Sequence, residues 1–156
     1  MAWDGGAAVA AGAVATAVMT AMLYMGFFMM PRQMPMNLLY MLGTMVTTRT
    51  GPAYMMGAMA HAMMGIVFAL IHTGVFRAFD VEADFAAWGL LFGLVHWAVV
   101  GMGMGMMGAM HPLMRRGEMA APGPLVMNYP AMTVVGFLML HLVFGVLVGV
   151  LYDAWA

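Results

Sequence analysis

Four stretches of this chain, 5–31, 50–76, 85–114 and 119–152, carry no charged side chain. Each exceeds the roughly 20 apolar residues that cover about 30 Å of bilayer hydrocarbon. A chain built this way has no soluble solution. Only 7% of its 156 residues are charged, five basic and six acidic, where soluble domains run near 25%. Too few charges remain to keep a soluble surface wet. A net charge of −1 without a basic cluster also excludes a nucleic-acid footprint. The absence of Cys removes disulfides, thiolate metal sites and Cys nucleophiles.

Pro, Gly and polar punctuation trims the stretches to spans near 6–30, 53–76, 85–111 and 130–152. The first lacks the basic leader of a signal peptide, and the apolar pattern continues through three more spans. The expectation is an all-α fold, a four-helix transmembrane bundle forming a single domain over 1–156. The links holding Arg32, Arg49, Arg115 and Arg116 then share one side, and five of the six acids gather at the other. The positive-inside rule places the arginines in the cytoplasm and both termini outside. Within the first link, Leu38, Met41, Leu42, Met45 and Val46 fall on one helical face, with Asn37 where a helix would begin. A short interfacial helix is expected there. The link 115–129 reads as a polar, turn-rich loop.

Lipid gives no hydrophobic drive for helix pairing, so small residues that allow close approach matter. Gly89, Gly93, Gly101 and Gly105 recur at multiples of four in span three. His141, Gly145 and Gly149 do so in span four, Gly57, His61 and Gly65 in span two, and Ala13, Ala17 and Ala21 in span one. The words His61-x-x-x-Gly65 and His141-x-x-x-Gly145 suggest a weak two-plus-two repeat.

Methionine is the exceptional residue. Apart from Met1, all of the 25 Met lie within 19–64 or 102–139, which is the cytoplasmic half on this topology. Met is a pliable packing residue and also a soft ligand suited to Cu(I). Two ladders at i,i+4 stand out: Met55, Met59 and Met63, and Met102, Met106 and Met110. Met-x-x-x-Met rungs of this kind resemble one element of helical copper importers, and only that element. The bland alternative is an adaptable layer for packing or for partner subunits.

No Asp, Glu, Lys or Arg lies within a span, which leaves His as the one residue there that titrates near neutral pH, and such intramembrane groups default to functional candidates. Counted along the helices, His61, His96 and His141 reach the bilayer middle from three different spans. His72 and His111 fall near the outer and inner boundaries. The trio has three readings: interhelical hydrogen bonding, ligation of a soft metal, or axial ligation of haem b. The expected metal set is His61, His96, His141, Met59, Met63, Met102, Met106, Met110 and His111, with Cu(I) first, haem b as the alternative, and no cofactor as the third case. The chain has no Ser, no phosphate loop and no paired carboxylates, so catalysis is not expected.

The stretches 12–20 (Gly-Ala-Val-Ala-Thr-Ala-Val-Met-Thr), 61–69 (His-Ala-Met-Met-Gly-Ile-Val-Phe-Ala), 89–97 (Gly-Leu-Leu-Phe-Gly-Leu-Val-His-Trp) and 141–145 (His-Leu-Val-Phe-Gly) resemble a group of small bacterial four-span membrane proteins of unknown function. The resemblance implies a four-helix membrane fold in a bacterial inner membrane and supplies no activity. Expected partners are the lipid bilayer and other membrane subunits or a second copy, with the protein as an accessory subunit as the competing function.

Overall fold

A computed structural model describes residues 3–156. Their order is α1 (Gly5–Met29), α2 (Leu38–Gly43), α3 (Thr50–Ala78), α4 (Phe85–Met104), α5 (Met107–Met110), α6 (Pro112–Arg115), a 3-10 turn (Pro124–Val126) and α7 (Ala131–Trp155). The long helices α1, α3, α4 and α7 are each apolar and long enough to cross a membrane. The chain is therefore an all-α, four-helix polytopic membrane protein. All four are apolar around their circumference, as lipid on the outside and a core on the inside require.

Glycine decides which helices touch. In α4 and α7 a Cβ at Gly93 would lie 2.6 Å from the His141 carbonyl oxygen, and one at Gly145 would lie 2.8 Å from the Gly93 Cα. Gly89 and Gly149 are as tightly placed against the facing backbone. The α1–α3 pair uses Gly12 against Ala69 and Gly65 against Thr16. Each His-x-x-x-Gly word thus lies at a close crossing within its own hairpin. The alanine row departs from expectation. Ala8, Ala11 and Ala15 are buried, whereas Ala13, Ala17 and Ala21 are exposed along a groove between α1 and α3.

The third span is shorter than 85–111. α4 stops at Met104, and the chain continues through a turn into the one-turn helices α5 and α6. Gly101, Gly103, Gly105 and Gly108 weaken the helix locally. Pro112 then opens α6, a position that suits proline. The following link is not simply a polar loop. Pro122 and Val126 are fully buried, and Leu125 packs where a Gly101 Cβ would stand. Leu125 and Val126 hold positive φ of 51° and 56°, a strained state for branched residues.

The short helix of the first link is α2. Asn37 caps it by accepting a hydrogen bond from the Tyr40 N–H. Leu38 and Met41 of the expected face are buried against the bundle, while Met45 and Val46 lie past the helix and are exposed.

Candidate functional site

The midplane of the bundle carries a cluster of imidazole rings. His61 of α3 and His96 of α4 each stand eleven residues from the start of their helix, and His141 of α7 stands ten. That is about 15 Å along each axis, and all three are buried. The His96 ring lies edge-to-face with His141, centroids 4.8 Å apart, and stacks on Phe68 at 3.7 Å.

His72 joins them, with its ring 5.4 Å from His96 and 5.7 Å from Phe144. Its backbone depth placed it near the outer boundary. Side chains on a helix lean toward its N-terminus, and α3 and α4 run antiparallel. His72 therefore leans inward and His96 outward, so the rings meet between levels that their Cα positions separate. The eleven-residue spacing from His61, which puts both on one face of α3, was the available signal.

Hydrogen bonding within the cluster is incomplete. His141 Nδ1 lies 2.7 Å from the Phe137 carbonyl oxygen. Only a protonated Nδ1 can donate there, so Nε2 is the lone-pair nitrogen. A carbonyl on one ring nitrogen is the usual way to orient a ligating imidazole. Both nitrogens of His61, Nδ1 of His72, Nδ1 of His96 and Nε1 of Trp97 are buried without a partner. Such groups are rare, and each costs about 1–3 kcal/mol.

His61, His96 and His141 line a chamber of about 250 Å³ that extends toward α2 and the arginine-bearing end. Its walls also hold five thioethers: Met19, Met36, Met64, Met104 and Met107. These are not the ladder methionines. Met59, Met63, Met102, Met106 and Met110 point away from the bundle and are 58% to 63% exposed, so the structure does not bring them to the imidazoles. Sequence reasoning missed the inward set because helices apolar on every side give no contrast from which to read a face.

His111 also stands apart. It is fully buried, and both of its ring nitrogens are engaged. Nδ1 accepts from the Leu113 N–H at 3.2 Å, and Nε2 lies 2.9 Å from the Met41 carbonyl and 3.1 Å from Thr44 Oγ1. These bonds cap α6 and tie it to α2, so His111 has no lone pair left for a metal. Among the described residues, no three His, Asp or Glu side chains gather within the reach of one metal ion. A metal held by the His96–His141 pair would need its further ligands from thioethers.

No family model matches the chain, and neither does any curated protein or solved structure.

Proposed function

We propose that the chain is a non-catalytic membrane protein that binds a soft metal ion, Cu(I) first, in the imidazole- and thioether-lined chamber. The observation that carries this reading is His141, whose Nδ1 is held by the Phe137 carbonyl and whose ring lies against His96. Orphaned nitrogens on His96 and His61 and the five chamber methionines supply soft donors around that pair. Imidazole and thioether together suit Cu(I) better than the harder divalent ions. Haem b is less well served by this pair. Two axial imidazoles must stand on opposite faces of a porphyrin, and these rings touch edge to face. The test is a Cu(I) competition titration against a chromogenic chelator. Wild type is expected to take up about one equivalent, and His96→Ala with His141→Ala none. Equal uptake by both would overturn the assignment.

A second reading rests on the outward ladders. Met55, Met59, Met63, Met102, Met106 and Met110 present pliable thioethers along one side of α3 and along α4–α5, as suits contact with a partner subunit or a second copy. Metal binding in the chamber and assembly through the ladders are compatible. The proposal includes the likeness to small bacterial four-span proteins, the inner-membrane location and an arginine-bearing end that faces the cytoplasm.

A further inference from the structure

We infer that the groove between α1 and α3 is a binding site for one anionic phospholipid, with an acyl chain along its alanine floor and the phosphate at the arginine-bearing end. The groove has a volume of about 460 Å³. It runs from Ala13 to Tyr24 on α1, with Ala58, His61 and Ala62 on α3 and Leu39 of α2 at its foot. Eleven residues of helix make about 16 Å, close to the half-thickness of the hydrocarbon core.

Its walls are apolar by construction. Ala13, Ala17 and Ala21 give it depth. The hydroxyls of Thr16 and Thr20 turn back to donate to the carbonyls of Gly12 and Thr16 at 2.6 and 2.7 Å. His61, more than nine-tenths buried, separates this groove from the chamber.

The foot of the groove is polar and ordered. Tyr24 donates to Asn37 Oδ1 at 2.7 Å and accepts from the Leu39 N–H at 3.2 Å. Asn37 Nδ2 donates to the Tyr54 hydroxyl at 2.6 Å. The Tyr54 O–H therefore keeps its own hydrogen to donate, and it is exposed. The same link, which carries Leu39 and Asn37, also carries Arg32, past the end of α1, and Arg49, the N-cap of α3, both exposed. Among the described residues neither has a carboxylate partner, since the ion pairs are Arg77–Asp80 and Arg116–Glu118. Two unpaired cations flanking the link that closes the groove's foot, and a free hydroxyl donor bonded to that foot through Asn37, complement a phosphate diester.

Native mass spectrometry of the full chain from mixed micelles tests this, with phosphatidylglycerol and phosphatidylcholine as the probes. One phosphatidylglycerol is expected to be retained in preference to phosphatidylcholine. Arg32→Gln with Arg49→Gln is expected to weaken retention about 25-fold, at roughly 1 kcal/mol per surface cation. Ala17→Phe, at an exposed position, is expected to displace the lipid by filling the groove while both arginines remain. Equal retention of the two lipids by wild type overturns the proposal, as does unchanged phosphatidylglycerol retention in either variant. Sensitivity to Ala17→Phe without any charge preference would show an uncharged chain in the groove and equally overturn it. Copper uptake does not enter this readout, so the two proposals fail separately.

Discussion

Replacing Gly145 by Ala strains the α4–α7 contact directly. The added Cβ would meet Gly93 Cα at 2.8 Å and Gly93 N at 2.9 Å, and would press still closer on the Gly89 carbonyl oxygen. All three are backbone atoms of a facing helix, so no side chain can swing aside. The α4 and α7 axes must part by about 1 Å before the closest of those contacts becomes ordinary, which loosens Gly93 against His141 and Gly149 against Phe85 as well. Overpacking of this kind costs about 1–3 kcal/mol. Gly74→Ala in α3 is the matched control, because nothing lies within 4 Å of the Cβ it introduces. There the better helix former gains up to about 1 kcal/mol. Far-UV circular dichroism during SDS titration of dodecylmaltoside micelles reads both. Gly145→Ala is expected to unfold at lower SDS fraction than wild type, and Gly74→Ala at the same or higher. Coincident curves for the two variants would mean that glycine does not set the α4–α7 contact.

His111→Ala is expected to destabilise the protein by about 2–4 kcal/mol in the same titration, because it leaves the buried Leu113 N–H and Met41 carbonyl without their ring partner. Copper uptake by this variant is expected to be unchanged, and a lost equivalent would return His111 to the metal set. Met59→Leu with Met63→Leu, and Met102→Leu with Met106→Leu, are expected to leave both copper uptake and stability within about 0.5 kcal/mol of wild type, as exposed positions do. Met104→Leu with Met107→Leu in the chamber wall is expected to weaken Cu(I) retention instead. Cross-linking yield of protein in native membranes separates assembly from packing: if the ladders meet a partner, Met59→Arg lowers it, and an unchanged yield removes that surface.

The four spans were legible because lipid imposes one demand on every residue facing it, and 5–31, 50–76, 85–114 and 119–152 meet it without a charge. Gly89, Gly93, Gly145 and Gly149 were legible for a related reason, since only missing side chains let α4 and α7 backbones meet. The same logic misplaced Ala13, Ala17 and Ala21. An alanine row is small enough to pack, but the partner helix decides which row does, and Gly12 and Gly65 turned α1 onto its other side. The direction of each methionine was illegible, because α1, α3, α4 and α7 are apolar on all sides and Met suits lipid and core alike. The end of α4 at Met104 depended on the link 116–130 folding back, with Leu125 against Gly101, a contact between segments far apart in sequence. His96 and His141 were placed at the midplane by counting alone. Joining His72 to them needed side-chain tilt as well as Cα depth.

On the proposed function, the buried imidazoles and chamber thioethers hold a soft metal. Elemental and haem analysis of protein extracted from its native membrane decides whether they do. About one copper per chain, lost together with His96 and His141, is the expected result. Protein that carries no copper and takes up none when loaded with Cu(I), or that shows a Soret band instead, would contradict it.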